Sequence, residues 1–198
     1  MVVLIKIYTR TGDDGKTALS TGTRVEKFAL RIQAYGTVDE TNATVGMARQ
    51  HTTGEDLHRL DAMLARIQNE LFDLGADLCT PETGEKLEWE PLRMTAAQVD
   101  RLETEIDELN EDLEPLRSFI LPGGHPAAAV LHLARTVSRR AERLMVELAD
   151  QKNEHIDENA LHYVNRLSDF LFVASRWANA KGNWDGQGDV LWVPGATR

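Results

Sequence analysis

The sequence has little cysteine and no long apolar run. Its single cysteine, Cys79, cannot form a disulfide within the chain, which predicts a reducing compartment such as the cytoplasm. Nothing around Cys79 would stabilise a thiolate, so we expect a buried structural thiol rather than a nucleophile. Residues 2–5 form the longest apolar run near the N-terminus, and it is far too short for a signal peptide or a membrane span. We therefore expect a cytoplasmic protein without a membrane partner.

Positive charge is also scarce, with 22 Lys and Arg against 32 Asp and Glu, for a net charge of −10. This balance argues against nucleic-acid binding. Four cations nevertheless crowd one short segment, opposed there only by Glu142: Arg135, Arg139, Arg140 and Arg143. Such a cluster in an acidic protein suggests a small anionic ligand, and a solvated basic helix face is the alternative.

Residues 1–198 show no internal repeat and are expected to form a single domain. Residues 1–27 are rich in Gly and Thr and predict a loop-rich arm that starts with a β-leaning stretch at 2–8. Residues 28–181 have helical patterns. Residues 182–198 form a tail that ends in the apolar stretch DVLWVPG.

The clearest helix begins near Glu55, where apolar residues recur in steps of three and four: Leu57, Leu60, Leu64, Ile67, Leu71, Leu74 and Leu78. This seam is typical of a helix that packs lengthwise against its neighbours. Thr95 and Gln98 form a capping box for a shorter helix, and further helices are predicted at 31–50, 126–150 and 157–180. The pattern predicts an all-α fold, a five-helix up-and-down bundle of ferritin-like type.

Polar residues at helical spacing could line a site in such a bundle. One stripe lies on the helix predicted at 126–150 and consists of His132, Arg135, Arg139 and Glu142. A second lies on the helix predicted at 157–180 and consists of Asn165, Asp169 and Arg176. Asp39 lies on the earlier helix predicted at 31–50. Interhelical salt bridges are the alternative for each. A di-iron centre would require two Glu-x-x-His motifs, but only Glu55 and His58 match, and Glu158 and His162 have the wrong spacing. No serine nucleophile motif is present.

The segment TGDDGKT resembles a phosphate-binding loop that is two residues too short. Gly12, Gly15, Lys16 and Thr17 give G-x-x-G-K-T, whereas a P-loop requires G-x-x-x-x-G-K-[ST]. These residues alone leave two interpretations open: the segment either binds a nucleotide by another geometry or is a tight turn.

Five segments together resemble, in order and spacing, the PduO-type ATP:cob(I)alamin adenosyltransferases: IYTRTGDDGKTAL, AYGTVDETNATVG, SFILPGG, LHLARTVSRRAERLMV and YVNRLSDFLFVASRWAN. The resemblance runs from Lys6 to about Ala180, and the tail is similar to bacterial members. Thr41 replaces the usual Leu, and Arg10 stands where Lys is frequent.

The resemblance implies a five-helix bundle that forms a homotrimer, with ATP and Mg²⁺ held at each subunit interface and no metal site of the protein's own. The arm would wrap the triphosphate through Thr9, Arg10, Thr11, Gly12, Thr17 and Lys27. The neighbouring chain would supply Arg139, Arg140, Glu142, Arg143 and Asn165. Arg side chains suit phosphate because their planar fork donates bidentate hydrogen bonds.

The resemblance also implies that cob(I)alamin attacks C5′ of ATP and expels triphosphate. Asp39 and Arg135 would form a salt bridge between subunits, and together with Arg139 and Phe119 they are the expected catalytic residues. Phe119 would fill the lower face of cobalamin, and Phe172 would pack against the corrin ring; core packing is the alternative for both rings. The expected partners are a reductase and an adenosylcobalamin-dependent recipient. A non-catalytic corrinoid carrier and a trimeric scaffold are the competing functions.

Overall fold

The structure is a computed structural model that describes residues 7–82, 84, 87–186 and 188–198. Most of the β-leaning stretch predicted at 2–8 therefore lies outside the described residues. The helical prediction is confirmed by five helices: α1 (Leu30–Arg49), α2 (His58–Leu78), α3 (Ala96–Asn110), α4 (Pro126–Ala149) and α5 (Glu158–Lys181). A 3-10 turn, Glu55–Leu57, leads into α2.

Local sequence explains where several helices begin. The capping box predicted for α3 is present, and the Gln98 carboxamide accepts a hydrogen bond from the backbone N–H of Thr95 at 2.9 Å. Pro126 occupies the first turn of α4, where its missing N–H has no cost. Asp157 caps α5, because its carboxylate accepts a hydrogen bond from the N–H of Asn159 at 2.8 Å.

The predicted seam of α2 is buried along its whole length, with every member at most 3% exposed. These side chains belong to a single hydrophobic core that contains residues from all five helices. Helix α1 packs between α2 and α4, and α5 packs between α4 and α3. The helices are thus ordered α2, α1, α4, α5, α3 across the bundle, so neighbours in space are not always neighbours in sequence.

The arm contains a hairpin that the sequence analysis does not predict. Strands β1 (Lys16–Ala18) and β2 (Arg24–Glu26) pair antiparallel, with Thr17 opposite Val25. Ser20 anchors the hairpin to the end of α2, since its hydroxyl donates to the carbonyl of Cys79 at 3.0 Å and to Oγ1 of Thr80 at 2.8 Å.

The C-terminal tail returns to the loop that precedes α4. The N–H of Trp192 donates to the carbonyl of Phe119 at 2.8 Å, and the N–H of Leu121 donates to the carbonyl of Val190 at 2.7 Å. Nε of the buried Arg176 donates to Asp189 at 2.8 Å, which ties the tail to α5. The apolar tail is therefore a structural part of this face.

The same loop is shaped by a glycine. Gly124 has φ of 92°, and a Cβ there would lie 2.2 Å from Oδ1 of Asn179. That oxygen accepts a hydrogen bond from the N–H of His125 at 2.8 Å. Only glycine fits between the backbone and this side chain.

Among the described residues, no helix is both long and apolar enough to cross a membrane. Cys79 is half-buried rather than fully buried, so the expectation of a buried thiol is too strong.

Candidate functional site

The predicted phosphate-binding residues of the arm lie close together. The hydroxyls of Thr9 and Thr11 are hydrogen-bonded at 2.9 Å. Arg10 adopts φ of 62°, a conformation that is uncommon for a side chain larger than glycine. Lys27 reaches Gly12 so closely that a Cβ at Gly12 would lie 3.1 Å from Nζ. Thr17 lies on β1 of the same hairpin.

The two aspartates of the arm have different environments. Oδ1 of Asp14 accepts hydrogen bonds from the N–H of Lys16 at 3.0 Å and from Arg24 at 2.8 Å. The Lys16 N–H, more than the nearby Arg24 cation, holds the pKa of Asp14 below its usual range. Asp14 thus fixes the loop, while the side chain of Asp13 makes no hydrogen bond with the described residues.

Most of the predicted anion-binding cations, Arg140 excepted, differ from most other cations of the chain. Many arginines form ion pairs with carboxylates: Arg24, Arg31, Arg49, Arg59, Arg66, Arg93, Arg101, Arg166 and Arg176. Within the described part of the chain, by contrast, Arg10, Lys27 and Arg139 have no ion pair. In a chain of net charge −10, such cations are available to an external anion.

The basic cluster of α4 meets α5 at a hydrogen-bonded polar group. Asn165 donates to Oε1 of Glu142 at 2.7 Å. Nη1 of Arg143 donates to the backbone carbonyl of Arg139, one helical turn earlier, at 3.0 Å. Arg140 forms an exposed ion pair with Glu40 of α1, which an incoming anion would have to displace.

A cavity of about 720 Å³ brings both predicted corrinoid residues together. It is lined by the loop before α4, by α4 and α5, and by the tail: Leu116, Arg117, Ser118, Phe119, Ile120, His132, Arg135, Phe172, Trp192 and Pro194. The Phe119 ring is 77% exposed, so the alternative that it belongs to the core is wrong. Phe172 is partly buried, and it both packs against the core and lines the cavity.

Two polar side chains lie under this apolar cavity. His132 is 2% exposed, and its Nε2 lies 3.1 Å from Oγ of Ser175. Burial, followed by the cation of Arg135, lowers the pKa of His132 to about 4, so the ring is neutral at neutral pH. Burial also lowers the pKa of Arg135, with a smaller effect from Arg139.

Asp39 and Arg135, the predicted salt bridge, are not paired within one chain. Asp39 is exposed on α1 and lines a separate pocket of about 490 Å³ with Tyr35, Phe72 and Cys79. The guanidinium of Arg135 has neither a hydrogen bond nor an ion pair with the described residues, and its Nε is buried. A contact between these two residues would need a second chain.

No group of three or more His, Cys, Asp and Glu side chains that could hold a metal ion occurs in the described ranges. In the Glu55–His58 motif, Nδ1 of His58 lies 2.6 Å from the backbone carbonyl of Glu55 instead. His58 thus makes a local contact with the backbone at the start of α2.

Comparisons with known proteins identify the family. The sequence model of cobalamin adenosyltransferases matches residues 7–178. The chain belongs to this family. A corrinoid adenosyltransferase of Mycobacterium tuberculosis strain H37Rv is 47% identical over 197 residues, covering 100% of this chain and 97% of that protein. The corrinoid adenosyltransferase of Bacillus subtilis is 44% identical, covering 94% and 91%.

Solved structures of the family have the same fold. A variant PduO-type ATP:corrinoid adenosyltransferase from Lactobacillus reuteri, complexed with cobalamin and ATP, superposes with a TM-score of 0.82 at 36% identity and covers 94% of this chain and 96% of that one. A second variant of that enzyme, complexed with ATP, has a TM-score of 0.81 at 38% identity and covers 94% and 100%. The five-helix bundle is thus the fold of this cobalamin adenosyltransferase family.

Sequence reasoning did not assign a site role to Trp192 of this family member. Its ring meets that of Phe119 edge-on, with the centroids 6.0 Å apart, and forms another wall of the cavity. The apolar residues of DVLWVPG indicated that the tail packs against the rest of the chain, but they did not indicate against which segment. Arg117, in the loop before α4, also lines the cavity and was missed because its segment has no helical period.

Proposed function

We propose that the chain transfers the 5′-deoxyadenosyl group of ATP to cob(I)alamin. The Co(I) centre attacks C5′, the C5′–O5′ bond breaks, and its electron pair leaves with triphosphate as the Co–C bond forms. The cobalt is formally oxidised from +1 to +3, and no proton moves in this step. Alignment of the two substrates and stabilisation of the leaving group are therefore the main tasks of the protein.

The observation that carries this proposal is the division of the candidate site into an apolar cavity and a set of unpaired cations. The cavity of about 720 Å³, with Phe119 and Phe172 on its walls, suits a large flat hydrophobic ligand. Arg10, Lys27 and Arg139 suit a triphosphate. Threonine hydroxyls and backbone N–H groups of the arm would add hydrogen bonds without the curl of a P-loop.

The active site lies between subunits of a homotrimer in this proposal. No hydrogen bond or ion pair joins residues 9–27 to the basic cluster of α4 within the described chain, although both are expected to hold ATP. The exposed Asp39 and the unpaired Arg135 are complementary in charge, and a neighbouring subunit would bring them together. Arg139, Arg140, Arg143, Glu142 and Asn165 would then face the arm of the next chain.

Phe119 would occupy the lower face of the corrinoid and exclude an axial ligand. An axial ligand donates electron density to cobalt and makes reduction to Co(I) harder. The exposed Phe119 ring is free to meet a ligand, and Trp192 supports it from one side. Phe172 would contact the ring from α5.

Mg²⁺ would enter with the phosphates of ATP, because the described residues form no metal cluster. Asp13 of the arm, whose side chain makes no hydrogen bond with the described residues, would be a protein ligand of the ion, since carboxylate oxygens suit it. A separate reductase would supply Co(I), and an adenosylcobalamin-dependent enzyme would receive the product in the cytoplasm. Delivery of product is compatible with catalysis, so a carrier role would be an addition to it.

The decisive test is an anaerobic assay with MgATP and chemically reduced cobalamin. We expect the visible spectrum of a Co–C bonded product to appear with an equimolar release of triphosphate. Binding of both ligands without product would favour the carrier function, and a failure to bind either would favour the scaffold.

A further inference from the structure

Asn165, a candidate nucleotide residue, is held by hydrogen bonds at both ends of its amide. Its Nδ2 donates to Oε1 of Glu142 at 2.7 Å, and its Oδ1 accepts from Nη1 of Arg166 at 2.6 Å. A carboxylate only accepts and a guanidinium only donates. The two neighbours therefore determine a single orientation of the amide.

Arg166 is in turn held by α3. Its Nε donates to Oε1 of Glu103 at 2.6 Å, so a line of contacts runs from Glu103 through Arg166 and Asn165 to Glu142. The Arg166 and Glu103 side chains are 37% and 49% exposed. An ion pair this exposed contributes little to folding stability. The more specific consequence of this ion pair is that it holds Arg166 in place to donate to Oδ1 of Asn165.

We infer that Arg166 is a positioning residue for the ribose of the nucleotide, an inference that rests on the proposed function. With Oδ1 engaged by Arg166 and one N–H engaged by Oε1 of Glu142, Asn165 keeps a second N–H and Glu142 keeps Oε2, and neither has a hydrogen bond within the described residues. The pair of side chains therefore offers one donor and one acceptor to a ligand. Two vicinal hydroxyl groups, which both donate and accept, match it, whereas a 2′-deoxyribose would leave one of the two protein groups unpaired.

Removal of Arg166 leaves Asn165 with one hydrogen bond and two rotatable side-chain torsions. The amide then samples orientations in which its free N–H no longer faces the ligand, and ordering it again on binding costs free energy. The loss falls on nucleotide affinity and on the discrimination between ribose and deoxyribose. The corrinoid cavity, which Arg166 does not line, is unaffected.

The test compares Arg166→Met with Arg59→Met. Arg59 is a matched control, because its ion pair with Glu108 also reaches α3 and its side chains are 43% and 48% exposed, but it has no contact with Asn165. For Arg166→Met we expect the KM for ATP to rise about tenfold, the size of one charge-assisted hydrogen bond. The KM for cob(I)alamin should stay within about twofold, and Arg59→Met should change neither value.

Two further readouts separate positioning from a general structural role. The ratio of kcat/KM for ATP to that for 2′-deoxy-ATP should fall in Arg166→Met and in Asn165→Ala, but not in Arg59→Met. Adding Asn165→Ala to Arg166→Met should raise the KM for ATP by much less than Asn165→Ala does alone, since the two act through one hydrogen-bonded unit. Circular dichroism confirms that each variant is folded.

Equal KM values for ATP and equal ribose discrimination in Arg166→Met and Arg59→Met would overturn the inference and leave the proposed reaction intact. If the unaltered protein formed no Co–C product, the proposed function would fail instead. The dissociation constants for ATP and 2′-deoxy-ATP, measured by calorimetry on the same variants, would then decide the role of Arg166 by the same criteria.

Discussion

The cavity beside Phe119 and the cation-rich surfaces of the arm and α4 are built in different ways. One chain assembles the cavity by itself, because the loop before α4, helix α5 and the tail meet through backbone hydrogen bonds and the buried pair of Arg176 and Asp189. The cations lie on two elements of that chain, and no hydrogen bond or ion pair joins residues 9–27 to the basic cluster of α4 within the described residues. The difference indicates that folding of one chain is sufficient to form the cavity, whereas the proposed function needs a second subunit to bring the two sets of cations together.

The largest expected effect is on the cavity side, from Phe119→Ala. Because the ring is 77% exposed, we expect little loss of stability, and not the several kcal/mol of a core truncation. Adenosylation driven by a mild reductant should fall by about a thousandfold, or about 4 kcal/mol of barrier. Electron paramagnetic resonance of bound cob(II)alamin should change from a four-coordinate to a five-coordinate signal.

The matched control for this variant is Trp89→Ala, which removes another exposed aromatic ring outside the cavity. It should keep the four-coordinate signal. A four-coordinate spectrum in Phe119→Ala with MgATP bound would contradict the assignment of this ring.

The second prediction concerns assembly. If the proposed trimer forms, Asp39→Asn should weaken each of its interfaces by about 3 kcal/mol, roughly a hundredfold in affinity, because the buried Nε of Arg135 would lose the nearby carboxylate. Sedimentation velocity at several concentrations measures this, with the exposed Asp100→Asn on α3 as the control. An unchanged trimer with unchanged activity would show that Asp39 and Arg135 do not meet.

Arg139→Lys sharpens the comparison from the nucleotide side. Lysine keeps the charge but loses the planar fork, so we expect kcat to fall about thirtyfold with the fold intact. Steady-state kinetics in both substrates is the measurement, and Arg101→Lys serves as an exposed control. An effect confined to the KM for cobalamin would place Arg139 at the cavity instead.

The smallest effect is the pH dependence of stability that His132 causes. Its pKa is about 4 in the folded chain, against 6.5 for an ordinary histidine, so between these values only the unfolded chain binds the proton. The free energy of unfolding should therefore fall as the pH drops through that range, by about 2 kcal/mol between pH 7 and pH 4.5. His132→Gln should remove this contribution, whereas replacement of the exposed His162 should not.

Urea denaturation at pH 7 and at pH 4.5 measures the difference. Identical pH dependence in His132→Gln and in the unaltered protein would show that the ring is accessible to protons in the folded state. His125, whose pKa burial also lowers, contributes in the same direction and remains in both proteins.

The sequence by itself determined the helices, the buried seam of α2 and the cap of α3. These depend on residues a few positions apart, and the helical period states directly which of them share a face. The five ordered motifs were also sufficient for the family, because each one lies within a short segment.

Only the tertiary structure decided which distant segments meet. It places Trp192 beside Phe119, links Arg166 to Asn165 and Glu142, and separates Asp39 from Arg135 within one chain. The hairpin of the arm also became visible only there. Such contacts depend on how helices, loop and tail pack in three dimensions, and no local spacing of residues encodes that packing.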